Sequence, residues 1–104
     1  MKVDVPFAFD CDNASTVQLT GSFLDWKERV PLIYNESENS YCVTLSLPPG
    51  IHYFKFIVNN EWVASSKYSQ VIDLHGNTNN CVNVEIPKRI RKRSSKSTFA
   101  PMKY

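Results

Sequence analysis

Apolar residues recur at every second position along most of this chain, and this periodicity constrains the fold more than any other feature. The alternation occupies five stretches, at residues 3–9, 17–20, 41–47, 51–58 and 82–86. In the longest stretch, Phe54 and Phe56 share one face while Lys55 projects from the other. A period of two is typical of half-buried antiparallel strands, and the sequence shows no sustained period of 3.6 that would indicate a helix.

Turn-forming residues separate the alternating stretches, and one turn has a specific signature. The dipeptide Asn59-Asn60 lies between the longest apolar stretch and Glu61-Trp62-Val63. Because asparagine tolerates positive φ, this dipeptide predicts a tight β-hairpin. Strands at short, regular spacing favour a sandwich over an α/β fold. We therefore predict a single all-β domain, an antiparallel β-sandwich, over residues 1–87.

The charge of the chain is unevenly distributed. Residues 88–104 carry seven basic residues and no acidic residue, whereas residues 1–87 carry five basic and ten acidic residues, so that +7 and −5 give the net charge of +2. The basic segment has too little apolar surface to offset the entropy cost of ordering, and we predict a disordered C-terminal tail over residues 88–104. Such tails are often solvated linkers. Binding of nucleic acid, an acidic membrane surface or a nuclear import receptor is the alternative.

The cysteines indicate a reducing compartment. Cys11, Cys42 and Cys81 are odd in number and widely spaced, which is not the pattern of a disulfide framework. The amino-terminal residues lack the apolar core of a signal peptide. No window approaches the roughly 20 apolar residues that cross a bilayer. We expect a protein without a membrane span, located in the cytoplasm, or in the nucleus if the basic tail directs it there.

The sequence contains no pattern of catalytic residues. The acidic residues lie mainly in turns or beside strands, outside any motif that would pair them for glycoside hydrolysis. His52 and His75 lack metal-ligand spacing to each other or to the cysteines, and the three glycines form no phosphate-binding loop. The sequence therefore predicts a protein that is not an enzyme and that uses no metal or cofactor.

Two tryptophans and a lysine are the candidates for ligand recognition. Trp26 follows a turn-like run at residues 21–25, and Trp62 follows the Asn59-Asn60 turn. An indole at such a position offers a flat surface to the C–H face of a sugar, but either tryptophan can equally belong to the core. Lys55 interrupts an apolar strand. A lysine there is usually a solubility or edge-protection device, and it can also contribute to a site beside Trp62.

A polar loop, His-Gly-Asn-Thr-Asn-Asn at residues 75–80, enters the last predicted strand. Gly76 permits a sharp bend in this loop. Its asparagines are either ordinary turn formers or amides that hydrogen-bond sugar hydroxyls. The loop is therefore a third candidate element.

Three motifs in this order resemble those of a known family. They are Leu-Thr-Gly-Ser-Phe-Leu-Asp-Trp at residues 19–26, Leu-Pro-Pro-Gly-Ile-His-Tyr-Phe-Lys-Phe-Ile-Val-Asn-Asn-Glu-Trp at 47–62, and Gly-Asn-Thr-Asn-Asn at 76–80. They resemble the family 48 carbohydrate-binding modules, in particular the glycogen-binding domains of AMP-activated (Snf1-type) protein kinase β subunits. The resemblance covers about residues 4–87. It implies an immunoglobulin-like β-sandwich that binds α-1,4-linked glucan, such as glycogen or starch, without catalysis.

The resemblance also assigns roles to individual residues. Trp26 and Trp62 match the two stacking tryptophans, and Lys55 matches the lysine that hydrogen-bonds glucose hydroxyls. Asn79 matches the asparagine at the end of the binding loop. The carbohydrate-binding residues that the resemblance implies are Trp26, Lys55, Trp62, His75, Asn77 and Asn79.

The chain departs from the family pattern in this binding loop. His75 stands where the mammalian subunits insert an apolar residue into the sugar ring, and Asn77 stands where a threonine is common. Either the imidazole of His75 stacks on the sugar, or a one-residue shift of the loop brings Leu74 into the apolar role.

At the level of function, the resemblance implies a regulatory or targeting β subunit of an AMP-activated-type protein kinase. Its partners would be α-glucan and a kinase catalytic subunit. The alternative is a protein–protein interaction module of a kinase complex with lost or weakened glucan binding. Kinase β subunits continue into a C-terminal domain, whereas this chain ends at residue 104. A stand-alone glucan module, a reduced β subunit and a fragment that ends in a linker are the interpretations left open.

Overall fold

The computed structural model describes residues 1–11 and 14–87, and this part of the chain is built from β-strands and one short 3-10 helix, Ser22–Leu24. The strands are β1 (Val3–Phe9), β2 (Val17–Gly21), β3 (Val30–Pro31), β4 (Ile33–Asn35), β5 (Ser40–Leu47), β6 (Gly50–Val58), β7 (Glu61–Val63), β8 (Ser69–Ile72) and β9 (Thr78–Val84). No helix among these residues is long and apolar enough to cross a membrane. The predicted tail over residues 88–104 lies outside the described residues.

The strands form two antiparallel sheets whose inner faces share one core. The smaller sheet has the strand order β1-β5-β4. The larger sheet has the order β3-β2-β6-β9-β8, and β7 also pairs with β6. The prediction of an all-β antiparallel sandwich is confirmed. The short strands β3, β4 and β8 were not predicted, because runs of two to four residues are too brief to show a period.

The nine-residue strand β6 is the centre of the larger sheet. One of its edges pairs with β2, from Phe54 to Val58. The other edge pairs with β9 over Gly50 to Phe54, and then with β7 over Phe56 to Val58. Each neighbouring strand is therefore held in register by the same central strand.

The turn between β6 and β7 is the predicted asparagine hairpin. Asn59 and Asn60 have φ angles of 50° and 68°, which is the left-handed conformation that a two-residue hairpin turn requires. The Asn59 side chain also accepts hydrogen bonds from the backbone N–H groups of Ser15 and Thr16, at 2.7 and 3.1 Å. The predicted hairpin is confirmed, and its first asparagine also fastens the start of β2.

The core is rich in aromatic side chains contributed by β6. Phe54 is wholly buried, and its ring centroid lies 4.9 Å from that of Phe7 in β1 and 5.1 Å from that of Tyr68. Phe56 is also wholly buried, with its centroid 5.0 Å from that of Phe9. Full burial of one such side chain stabilises the fold by about 1.5–3 kcal/mol. The even-numbered residues of β6 thus hold the two sheets together, and its odd-numbered residues face outward.

Ile57 is an exception to this simple alternation. It belongs to the outward-facing set, yet it is wholly buried and lies outside the main core cluster. Its cross-strand neighbours are Gln18 on β2 and Trp62 on β7, and cross-strand neighbours share one face of a sheet. Ile57 is therefore buried on the outer face of the larger sheet, between its neighbours on the two flanking strands.

Candidate carbohydrate-binding groove

The outer face of the larger sheet carries a groove with a volume of about 730 Å³. Five of the six predicted site residues line it, namely Trp26, Lys55, Trp62, Asn77 and Asn79. Five further residues complete the lining, namely Tyr53, Val71, Ile72, Asp73 and Leu74. Segments that are far apart in the chain therefore meet in one place, because β6 brings β7 and β9 to the same edge.

Trp26 reaches the groove from the tight connection that follows β2. Its backbone N–H donates to Gly21 O at 3.0 Å, and Lys27 N–H donates to Leu24 O at 3.1 Å. Asp25 and Trp26 have φ angles of 56° and 59°. Positive φ is uncommon for a bulky residue, and such strain is found where a fold holds a side chain in a functional position. The Trp26 side chain is 38% exposed, so it does not belong to the core.

Gly21 is the residue that permits this connection. A Cβ atom there would clash with the backbone oxygen of Tyr53 and would lie 2.7 Å from the Phe23 ring. The φ angle of Gly21 is 179°, so the requirement is for space and not for unusual backbone conformation. The glycine of the Leu-Thr-Gly-Ser-Phe motif therefore lets the Trp26 turn pack directly against β6.

Trp62 stands at the start of the hairpin return and is 48% exposed. Trp62 pairs across the sheet with Ile57, and this wholly buried side chain supports the indole from the side. Arg29 lies over the Trp62 ring, with its Cζ atom 5.5 Å from the ring centroid. This cation–π contact helps to orient an aromatic ring that is otherwise half in solvent.

Lys55 projects from the middle of β6 on the groove side. It pairs across the sheet with Thr20, whose hydroxyl donates to Glu28 O at 2.7 Å. Thr20 is wholly buried and its hydroxyl is engaged, so it offers nothing to a ligand. Lys55 makes no ion pair within residues 1–11 and 14–87. Its three ammonium donors therefore remain available in the groove.

Asp73 organises the loop that forms one wall of the groove. Its Oδ1 atom accepts hydrogen bonds from the backbone N–H groups of His75 and Asn77, both at 2.9 Å. Its Oδ2 atom accepts one from Asn79 Nδ2 at 3.2 Å. Asp73 N–H also donates to Asn77 O at 2.9 Å, and Gly76, with φ of 82°, makes the bend. One carboxylate thus fixes the backbone of the loop and the amide of Asn79.

These hydrogen bonds favour the ionised form of Asp73. The backbone donor at Asn77 makes the largest contribution and lowers the pKa of the carboxyl below its ordinary value of 3.8. Partial desolvation opposes this effect, and the donors at His75 and Asn79 lower the pKa further. The loop is therefore held by a carboxylate that is fully charged at neutral pH.

The neighbouring asparagines Asn79 and Asn80 have different roles because strand alternation turns them to opposite faces. Asn80 is wholly buried, where its Oδ1 accepts from Ser65 N–H at 2.8 Å and its Nδ2 donates to Ser65 O at 2.9 Å. Asn79 lines the groove. Asn80 therefore has a structural role, and Asn79 is placed at the candidate site, where hydrogen bonding to sugar hydroxyls stays a prediction.

A family model described as the glycogen recognition site of AMP-activated protein kinase matches residues 3–90. The chain belongs to this family. The predicted resemblance is confirmed, and membership in a glycogen-recognition family agrees with the prediction of a binding module that is not an enzyme.

Some relatives of the chain are named as protein kinase β subunits, and another is named as a signal transduction protein. The chain is 38% identical over 74 residues to 5'-AMP-activated protein kinase subunit beta of Schizosaccharomyces pombe, which covers 71% of this chain and 24% of the relative. It is 40% identical over 76 residues to SNF1 protein kinase subunit beta-2 of Saccharomyces cerevisiae, covering 72% and 18%. It is 38% identical over 86 residues to signal transduction protein MDG1 of Saccharomyces cerevisiae, covering 80% and 23%. The chain thus spans less than a quarter of the length of each of these relatives.

The loop position that departs from the glycogen-recognition family pattern is placed differently from its neighbours. His75 is exposed and does not line the groove, so its contact with glucan stays a prediction. Leu74 lines the groove and its side chain is fully exposed. The arrangement favours the alternative in which Leu74 provides the apolar contact from this loop.

Three residues of the groove region were not identified from sequence. These are Tyr53, Arg29 and Asp73, none of which is among the predicted site residues. An aspartate followed by a His-Gly-Asn bend is a recognisable turn signal and could have drawn attention to Asp73. The Arg29–Trp62 contact has no local sequence signal, because it depends on how two loops meet.

No group of three or more His, Cys, Asp or Glu side chains within residues 1–11 and 14–87 is arranged to hold a metal ion. The donors in the groove include an ammonium group and amides, which suit neutral hydroxyls.

Proposed function

We propose that the chain binds α-1,4-linked glucan in this groove without catalysing a reaction on it. The observation that carries the proposal is the juxtaposition of the exposed indoles of Trp26 and Trp62 with Lys55 and Asn79 around a single groove. Glucose units have apolar C–H faces and hydroxyl edges. The indoles suit the faces, while the ammonium and amide groups suit the edges.

Each part of the groove has a separate task in this proposal. Trp26 and Trp62 stack on glucosyl units, and Lys55 donates hydrogen bonds to hydroxyl groups. Asn79 contributes its amide, which Asp73 holds in place, and Leu74 packs against an apolar sugar face. Asp73 is the one acidic residue in the groove lining, and its carboxylate is occupied by the loop. The lining therefore offers no pair of carboxylates of the kind that glycoside hydrolysis needs.

The site should bind weakly, because the groove is shallow and covers only part of a bound chain. A few stacking contacts and hydrogen bonds must overcome the entropy lost on association, which predicts a Kd of roughly 10⁻⁵ to 10⁻³ M. The natural ligand would then be a polymer such as glycogen or a starch-like glucan, on which many weak sites are available at high local concentration.

Isothermal titration calorimetry with maltoheptaose tests the proposal directly. We expect the wild-type protein to bind and Trp62→Ala to lose detectable binding. Tyr34→Ala is the matched control, because Tyr34 is a similarly exposed aromatic residue on the smaller sheet. The absence of binding by the wild-type protein to any α-glucan would refute the proposed function.

We further propose that the chain acts as a regulatory or targeting part of an AMP-activated-type protein kinase. The support is its similarity to proteins named as kinase β subunits. A pull-down from cell extract should recover a kinase catalytic subunit together with glycogen. A Trp26→Ala/Trp62→Ala double variant should release glycogen and, if the kinase contact is direct, retain the kinase.

An interaction module with weakened glucan binding is the second candidate. The observation behind it is the similarity to a relative named as a signal transduction protein and not as a kinase subunit. The position of His75 outside the groove lining also supports this alternative. Recovery of the same protein partners by the wild type and the double tryptophan variant, without glucan binding by either, would favour it.

We also propose a cytoplasmic location. All three cysteines have free thiols, which is typical of a reducing compartment. Fluorescence microscopy of the tagged full chain, with and without residues 88–104, would show whether the basic tail adds a nuclear pool.

A further inference from the structure

Tyr53 differs from the other tyrosines of the described residues. The other three, Tyr34, Tyr41 and Tyr68, donate their hydroxyl groups to protein oxygens and pack against another aromatic ring. Within residues 1–11 and 14–87, Tyr53 has neither kind of partner. Its ring is 41% exposed and lines the groove. A large aromatic side chain is thus presented to solvent at the candidate site, with its polar tip free.

The backbone of Tyr53 is nevertheless firmly held. Its N–H donates a hydrogen bond to Ser22 Oγ at 3.0 Å, and the Ser22 hydroxyl donates one to Tyr53 O at 3.3 Å. Ser22 begins the short 3-10 helix that leads to Trp26. The backbone supporting Tyr53 and the connection supporting Trp26 are therefore joined by the same serine. This arrangement fixes the base of Tyr53 and leaves its ring unengaged.

The position of Tyr53 extends the groove along β6. Tyr53 and Lys55 are two residues apart on the same face of the strand, so their Cβ atoms are separated by about 6.7 Å. The cross-strand partner of Tyr53 is Cys81, and beyond it lies Ser69. Cys81 and Ser69 both have small side chains, so little protein projects above the sheet beside the tyrosine ring. A sugar ring next to the one bound by Lys55 has room to lie against Tyr53.

We infer that Tyr53 forms an additional sugar subsite, at which its ring packs against one further glucosyl unit and its hydroxyl hydrogen-bonds that unit. The inference rests on the proposed glucan binding and extends it, because it makes affinity depend on chain length. A short oligosaccharide makes all of its contacts with the two tryptophans and Lys55. A longer chain continues past Lys55 and gains the contact with Tyr53.

Calorimetric titration with a series from maltotriose to maltoheptaose tests this subsite. Tyr53→Ala should weaken maltoheptaose binding about three- to tenfold, which is the range expected for loss of one aromatic stacking contact. Maltotriose binding should change by less than about twofold, because the short chain does not reach Tyr53. Tyr53→Phe retains the ring and should keep most of the affinity. Tyr34→Ala again serves as the control, and thermal unfolding confirms that each variant is folded.

The outcomes separate this inference from the proposed function. If Tyr53→Ala binds maltoheptaose as tightly as the wild type, or loses affinity equally for every chain length, the additional subsite is wrong and glucan binding stands. If the wild-type protein binds no α-glucan, both the proposed function and the subsite are wrong. Loss confined to the longer chains supports the subsite.

Discussion

The guanidinium group of Arg29 lies over the indole of Trp62, with 5.5 Å between its Cζ atom and the ring centroid. Arg29 follows Trp26 by three residues, so the loop that carries one tryptophan also supports the other. A cation–π contact at an exposed site contributes about 0.5–1 kcal/mol. Arg29 thus lies on one face of an indole that is 48% exposed.

Loss of this contact should weaken glucan binding. We expect Arg29→Ala to raise the Kd for maltoheptaose about two- to fivefold, because the Trp62 ring becomes less ordered before binding. Calorimetry measures the change, and Lys2→Ala provides a control in which an exposed cation is removed next to the smaller sheet. Tighter binding by Arg29→Ala would mean that the arginine covers the sugar-binding face.

Gly21→Ala should destabilise the fold through steric conflict. The new methyl group would meet the backbone of the central strand at Tyr53 and the ring of Phe23, and overpacking of this kind costs about 1–3 kcal/mol. Urea denaturation measures the loss. Gly76→Ala is an informative comparison, since its Cβ would enter open space and only the positive φ is unfavourable, at about 1–2 kcal/mol. A Gly21→Ala variant as stable as the wild type would contradict the steric explanation.

The neighbours Asn79 and Asn80 should separate binding from stability. Asn80→Ala leaves the buried N–H of Ser65 without its partner, whereas Ser65 O keeps the hydrogen bond from Gln70 Nε2, and we expect a loss of about 1–3 kcal/mol in the free energy of unfolding. Asn79→Ala should change stability by less than about 0.5 kcal/mol while weakening glucan binding. Denaturation and calorimetry on both variants test the pair. Equal effects of the two substitutions on stability would argue against their opposite orientations.

Asp73 should make the binding loop sensitive to acid. Because the folded state lowers the pKa of this carboxyl, its contribution is fully present above the ordinary value of 3.8 and is lost as pH falls through the lower folded value. We expect the backbone amide resonances of His75 and Asn77 to shift together in this acidic range in an NMR titration. Glucan binding should be insensitive to Asp73 ionisation between pH 6 and 8, where the carboxylate remains charged.

Two variants distinguish the charge of Asp73 from its shape. Asp73→Asn retains one acceptor oxygen and should abolish the acid-range shift with a modest loss of affinity. Asp73→Ala removes all three hydrogen bonds to the side chain and should reduce affinity several-fold further, on the order expected for loss of a loop-ordering contact. If Asp73→Ala binds glucan as tightly as the wild type, the loop does not need this carboxylate.

The main strands and the asparagine hairpin could be predicted because their signals are local. Period-two alternation identifies the faces of β6, and Asn59-Asn60 tolerates the positive φ that its turn requires. The burial of Ile57 could not be predicted in this way. It depends on Gln18 and Trp62 flanking the outer face, which is a property of the assembled sheet.

The site was predictable to the extent that family motifs mark it. Trp26, Lys55 and Trp62 lie in those motifs and meet at the groove. The residue pattern alone leaves each tryptophan with a core alternative. The motif position alone does not fix which loop residue faces the groove: His75 lies outside the lining, whereas Asp73 holds the bend and the adjacent Leu74 lines the groove.

The alternation along β6 has a consequence for how such a module can diversify. Residues 54 and 56 are buried in the core, whereas the residues that alternate with them, 53 and 55, line the groove. Substitutions at 53 or 55 can therefore alter carbohydrate preference with little penalty to folding. During evolution, the groove-facing residues of β6 can therefore change while its core-facing residues, and with them the sandwich fold, are conserved.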